Sequence, residues 1–290
     1  MNNMTRYIVV FIILIVVLVT GLYLYSNSKK EQNNSRQSAE HGTTGGGHQS
    51  TAQGQRTYEP EITSDTTNIK PNQPIKFSYK IKNNKGEVIK NYETVHEKIM
   101  HFIVVRKDLQ NFQHLHPDFN QATGEFTVNI TFPTDGHYRV FPDFTPSEDN
   151  PQKLPVTLYH DMDVGDTNQY KAQIVVTDTI LKKTIGEYQI TYNFPTEIMM
   201  RNEISYSLSI EKNNQPVKDL ENYLGALGHS VILKEDTLDF IHTHAEETNE
   251  SRGPEIKFST SFPEEGVYKI FTQFQHQGMV TTTDYAVKAY

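Results

Sequence analysis

The chain has 290 residues, a net charge of −8 from 27 basic and 35 acidic side chains, and neither cysteine nor tryptophan. The acidic balance argues against nucleic acid as a partner. The missing cysteine excludes disulfides, a lipidated cysteine, CxxC metal sites and thiol catalysis, while the length suffices for two domains of ordinary size.

Residues 1–6 form a short N-terminal flank. Residues 7–25, from Tyr7 to Tyr25, carry no charge and are rich in Ile, Val and Leu, about the length a helix needs to cross a bilayer. The stretch ends in the bulky Leu22-Tyr23-Leu24-Tyr25 instead of the small residues of a cleavage site, so it reads as an uncleaved single-pass transmembrane anchor. Arg6 on one side and Lys29, Lys30 and Arg36 on the other leave the positive-inside rule undecided. The short flank and the large body place the bulk of the chain outside the cytoplasmic membrane of a bacterium. Residues 26–56, made of Asn, Ser, Gln, Gly, Thr and Lys with Gly45-Gly46-Gly47, have almost nothing to bury and predict a flexible linker. His41 and His48 within it read as solvated.

From Tyr58 onward short β-type runs alternate with turn signals. Ile75 to Ile81 alternates apolar and polar residues and ends at Asn83-Asn84-Lys85-Gly86. Phe126 to Phe132 alternates again, Pro133-Thr134-Asp135-Gly136 turns the chain, and His137 to Phe141 follows. The second half repeats this through Ile204 to Ile210, Asn213-Asn214, Ile256 to Phe262, Pro263-Glu264-Glu265-Gly266 and Val267 to Phe271. Phe132 matches Phe262, Gly136 matches Gly266, Tyr138 matches Tyr268 and Phe144 matches Phe274. The expected architecture is all-β: two tandem antiparallel β-sandwich domains of immunoglobulin-like type, over residues 57–180 and 181–290.

A histidine pattern recurs in the same register. His101 is followed by His114 and His116, and His229 by His242 and His244, at identical spacing. As hairpins, residues summing to 217 face each other in the first copy, so Ile103 opposes His114 and His101 opposes His116. In the second copy His229 opposes His244 and Val231 opposes His242. Alternation then puts all three imidazoles of each copy on one face, with opposed Cβ atoms about 5 Å apart. Three rings so placed can meet around an ion at bonds of about 2 Å. His96, Met100, His276 and Met279 are candidate further ligands. Imidazole and thioether without thiolate suit copper, and imidazole alone suits zinc; copper is preferred. The same face carries Ile103, Val105 and Phe112, so the alternative is that the histidines pack the sandwich and bond backbone carbonyls. His137 and His160 read as local rim residues.

His96-Glu97-Lys98-Ile99-Met100-His101 has one residue too many for HExxH, and it leads into a strand. No GxSxG elbow, phosphate loop or GxGxxG occurs, and no enzyme is expected. At His96 through Pro117 and Tyr223 through Ala245, together with Gly253-Pro254-Glu255-Ile256 and Phe274-Gln275-His276, the chain resembles a largely uncharacterised family of bacterial secreted or membrane-anchored proteins with paired histidine-rich β-sandwich repeats. Ala245 departs from that family's proline. The resemblance implies an exported pair of β-sandwiches that handles a metal, often copper. The expected function is therefore a membrane-anchored, extracytoplasmic metal-binding protein that buffers or passes the ion. The alternative is a non-catalytic structural or interaction module of immunoglobulin type. Metal ion and membrane are the expected partners; no protein partner is specified.

Overall fold

The computed structural model describes residues 58–148, 150–246 and 252–290, together with the backbone of His48–Gln49. The anchor expected over 7–25 lies outside the described residues, as does most of the linker. Within that linker, His48–Gln49 pairs antiparallel with the strand Phe240–His244, His48 opposite His242. Among the described residues no helix is long and apolar enough to cross a membrane.

In the first repeat one sheet runs Tyr58–Ile62, Pro74–Asn83, Glu125–Thr131, Asp118–Asn120. The other runs His160–Val164, Gly136–Phe144, His101–Arg106, Gln113–Leu115. The second repeat is built alike. One sheet is centred on Glu203–Lys212, flanked by Tyr188–Asn193 and Glu255–Ser261. The other runs Phe240–His244, His229–Lys234, Gly266–His276, Met279–Ala289. Every ladder between these strands is antiparallel.

Alternation explains the pairing of sheets. Phe77, Tyr79 and Ile81 point inward from Pro74–Asn83, and Phe126, Val128 and Ile130 from Glu125–Thr131; they meet Phe102, Val104, Tyr138 and Val140 of the facing sheet in one apolar core. Tyr206, Leu208 and Ile210 meet Ile232, Ile270 and Phe274 in the second. A third core joins the two repeats: Ile103, Val105, Leu109 and Phe141 pack on Val231, Leu233, Phe240 and Phe271. The two repeats thus stack as four sheets, and the two middle sheets are covered on both faces. That is why His101–Arg106 and His229–Lys234 are buried at every position, and why their middles, 102–105 and 231–233, read as unbroken apolar runs instead of alternating ones.

The repeats meet by reciprocal contacts. Phe141 of the first lies against Phe240 of the second at 5.5 Å between ring centroids, and Phe271 of the second stacks on Phe112 of the first at 4.3 Å. Arg139 donates to the Thr237 carbonyl at 3.4 Å, and its counterpart Lys269 donates to the Leu109 carbonyl at 3.1 Å. Each contact recurs with the roles of the repeats exchanged, the signature of a self-complementary two-fold interface. Two glycines seat the basic residue at one end of each middle strand. A Cβ on Gly136 would stand 2.8 Å from the Arg106 side chain, and one on Gly266 would stand 2.7 Å from that of Lys234. Both glycines also have positive φ, so other residues are strained there.

Candidate metal centre

The expected hairpin registers are those observed: Phe102 opposes Leu115 and Ile103 opposes His114, while His229 opposes His244 and Val231 opposes His242. The return strand of the first hairpin is shorter than the sequence suggests, Gln113–Leu115, with His116 just beyond it. In both hairpins the histidines extend the apolar stripe that forms the third core, past Ile103 and Phe112 in one and past Val231 and Phe240 in the other. Because those stripes face each other, the two histidine sets do not lie at separate sandwich ends. They form one cluster between the repeats.

Within the first set the ring centroids of His101, His114 and His116 are 5.2, 5.2 and 4.8 Å apart. Imidazoles held by one tetrahedral ion at about 2 Å bonds stand roughly 5 Å apart by centroid. One nitrogen from each of the three rings lies within 4.8 Å of the others, so this triad could hold a metal ion. In the second set His229 lies 4.4 Å from His242 and 6.1 Å from His244 by centroid. The sets touch through His101 and His229, stacked at 5.5 Å, and through His101 and His242 at 5.2 Å.

His96 joins them, 4.2 Å from His244 and 5.1 Å from His229. It occupies a tight turn in which Val95 and Lys98 exchange backbone hydrogen bonds, with φ of +49° at His96 and +64° at Glu97. Both central residues of such a turn need positive φ, a conformation costly for L-residues. Here it carries the His96 ring across to the other repeat. The matching turn of the second repeat, Tyr223 to Ala226, places Leu224 at that position.

The other candidates stand apart from the cluster. Met100 is buried in the first sandwich core, since a neighbour of His101 along the chain faces the opposite side. His276 bonds Tyr188 Oη at 2.9 Å and Asp219 at 3.1 Å. Met279 is 58 % exposed in the hairpin that pairs it with His276. His137 bonds Asp163 at 2.7 Å, and His160 lies 6.4 Å from Phe77 by centroid.

Two buttressing residues were not anticipated from the sequence: Asp143 and Gln273. They lie at matching places in the two repeats, opposite His101 and His229 in their own sheets, and each crosses to the partner repeat. His242 Nδ1–H donates to the Asp143 carboxylate at 2.8 Å. His114 Nδ1–H donates to Gln273 Oε1 at 2.7 Å, and the Gln273 amide is oriented by its own bond to Thr282 at 3.0 Å. Fixing a proton on Nδ1 leaves Nε2 as the bare, ligating nitrogen.

Tautomers then decide the chemistry of the first set. His101 Nε2–H donates to the Val95 carbonyl at 3.1 Å, which leaves its Nδ1 bare. That Nδ1 lies 3.0 Å from the equally bare Nε2 of His114. Two lone pairs aimed at one another repel unless a proton or a metal cation sits between them. Nitrogens sharing a tetrahedral ion are about 3.3 Å apart. Among the described residues, His116 Nε2 and His229 Nδ1 are buried with no hydrogen-bond partner. In the second set His242 Nε2 is in close contact with His229 Nε2.

A proton is the weaker competitor. Burial, then the neighbouring His242 and His114 rings, push His101 well below its ordinary value of 6.5. Burial, then His116 and His242, does the same to His114, and burial followed by the surrounding histidines does so to His229. Burial and then Lys98 lower His116 to about 4. The rings are therefore neutral near pH 7 in the folded chain. A histidine depressed on folding adds stability that is full above its unfolded pKa and is lost as pH falls through the folded one. The metal-free protein is expected to lose stability as pH falls below about 6.5, at up to about 1.4 kcal/mol per pH unit for each such ring, with the contribution of His116 spent by about pH 4. Urea midpoints measured across that window test this, and midpoints independent of pH would contradict it. A small recess is lined by Val95, Lys98, Ile99 and Pro155 together with His96, His101, His242 and Asp143.

Comparison with known proteins bears on the family. The family described as "Domain of unknown function (DUF8832)" matches residues 55–163 and again 183–290. Among solved structures, Escherichia coli α2-macroglobulin activated by porcine elastase is 11 % identical with a TM-score of 0.28, covering 80 % of this chain and 20 % of its own. Salmonella α2-macroglobulin reacted with methylamine is 10 % identical with a TM-score of 0.27, covering 86 % of this chain and 15 % of its own. The chain thus spans a fifth or less of the length of these structures. No curated protein matches.

Proposed function

Because the chain belongs to the family described as a domain of unknown function (DUF8832), its role rests on the site, and we propose that it is a membrane-anchored extracytoplasmic protein that binds a transition-metal ion and buffers or passes it on. The observation that carries this reading is the 3.0 Å approach of two bare imidazole nitrogens, His101 Nδ1 and His114 Nε2, with His116 in the same triad. Neutral, buttressed imidazoles are what a d-block ion takes as ligands. The ligand candidates are His101, His114, His116, His229, His242 and His244, with His96 added. Copper is the first choice and zinc the second. With Met100 and Met279 outside the cluster, thioether no longer favours copper. The preference rests on divalent copper binding nitrogen sites more tightly than zinc. On this reading the protein holds an ion and turns over no substrate.

A second reading is a structural module of immunoglobulin-like type in which the histidines pack. The His101–Val95 carbonyl bond and the apolar residues sharing the histidine face favour it. Metal analysis separates the two. The full-length chain, purified in detergent without a tag, is expected to take up copper or zinc at one or more equivalents and to melt at higher temperature with the ion bound. No uptake, and melting indifferent to both ions, would leave the packing module.

A further inference from the structure

We infer that the histidine cluster holds two metal ions in inequivalent positions, one retained and one exchangeable; this rests on the metal-binding reading above. Among the described residues seven imidazoles come together, more than a four-coordinate ion can use. They also divide. His116 stands against His101 and His114, whereas His244 stands against His229 and His96. The two groups meet only through the central rings of His101, His114, His229 and His242 among the hairpin histidines, so His116 and His244 mark opposite flanks.

The exchange of roles that relates the repeats predicts twin positions, but it is broken at two places. Leu224 stands in the turn where the first repeat has His96, and Gln273 stands on the strand where the first repeat has Asp143. Both differences favour the same position. His96 crosses to His244 and His229, and Asp143 crosses to His242. Four imidazoles therefore border the second position, with a carboxylate behind one of them; among the described residues only the nitrogens of His101, His114 and His116 already converge, so the rings of the second position would have to turn to share an ion. The first has three imidazoles, His101, His114 and His116, with a neutral amide behind His114.

Ligand count and support then assign the roles. Four protein ligands close a tetrahedral site, whereas three leave a coordination place for an exchanging group. A carboxylate accepting from the distal N–H makes an imidazole a more basic donor than an amide does. The second position retains its ion, and the first trades with a donor or acceptor.

The test uses the full-length chain in detergent and zinc alone, which carries no redox chemistry, titrated against a chromophoric chelator with native mass spectrometry for stoichiometry. Two equivalents are expected, with affinities at least tenfold apart. Asp143→Asn should weaken the tighter step by about 10- to 100-fold and leave the weaker one in place. Gln273→Glu should strengthen the weaker step, a gain that a misfolded variant cannot produce. One equivalent per chain, lost alike by substitutions in either set, would overturn the two-ion assignment and keep a single shared site. Equal steps indifferent to Asp143→Asn and Gln273→Glu would overturn the inequivalence. No uptake at all would remove the metal-binding reading and this inference with it.

Discussion

Replacing His114 and His116 together by alanine is expected to lower metal uptake by one equivalent per chain and to weaken what binding persists at that position by more than a hundredfold. The size follows from the shells involved. Loss of an outer partner costs 10- to 100-fold in affinity, and this change removes two of the three ligands of the triad. Both side chains are only half-buried at the edge of the interface, so the fold should survive, which far-ultraviolet circular dichroism checks. The variant also separates ligation from packing. If the rings act as filler, uptake in the parent is nil and the variant changes only the melting temperature. A parent that binds metal and a variant that binds it equally well would exclude His114 and His116 as ligands.

The second large effect is on stability. Asp108→Ala is expected to destabilise the metal-free protein by about 3–5 kcal/mol, the cost of stranding a buried charge. Arg106 and Asp108 form a two-pronged ion pair, Nε to Oδ1 at 2.8 Å and the second prong at 3.0 Å, with side chains 8 % and 2 % exposed. Asp108 also accepts from the Gln173 amide at 2.9 Å, so the chain that leads from one repeat to the next loses a fastening. The matching change in the second repeat, Asp236→Ala, should cost under about 1 kcal/mol. Asp236 is 68 % exposed and Lys234 keeps Glu264 as a partner at 3.3 Å. Urea denaturation of the two variants measures the contrast; equal losses would refute the account.

Much of this was legible in the residues. The alternation of Phe77, Tyr79 and Ile81, and of Tyr206, Leu208 and Ile210, specified strands with one buried face. The hairpin registers were assumed so that the three histidines of each copy share a face, and the observed pairings agree at Ile103–His114, His229–His244 and Val231–His242. What the sequence could not supply was the occupant of the second face of His101–Arg106 and His229–Lys234. The unbroken apolar run Phe102-Ile103-Val104-Val105 shows that both faces are covered, but an apolar face does not name its partner, and here the partner is the same face of the other repeat. For that reason the spacing left open whether the two histidine sets make one shared site or two. Asp143 and Gln273 escaped notice because a single aspartate or glutamine in a strand has no spacing signature. Their signal was positional: each lies two residues beyond an inward phenylalanine, Phe141 or Phe271, and so continues a buried face with a polar group. Met100 could have been set aside by alternation alone, as the neighbour of a histidine that faces the other way. The anchor predicted over 7–25 and most of the linker lie outside the described residues.

Asp143 serves the second repeat's His242, and Gln273 serves the first repeat's His114. Each half therefore lacks an outer partner that only the other supplies. A free first repeat would keep His101, His114 and His116 but lose the Gln273 support of His114, so pairing with a second repeat would be needed to restore it and would track abundance. Joined in one chain, the halves meet at a local concentration set by the segment that connects them, whatever the number of molecules.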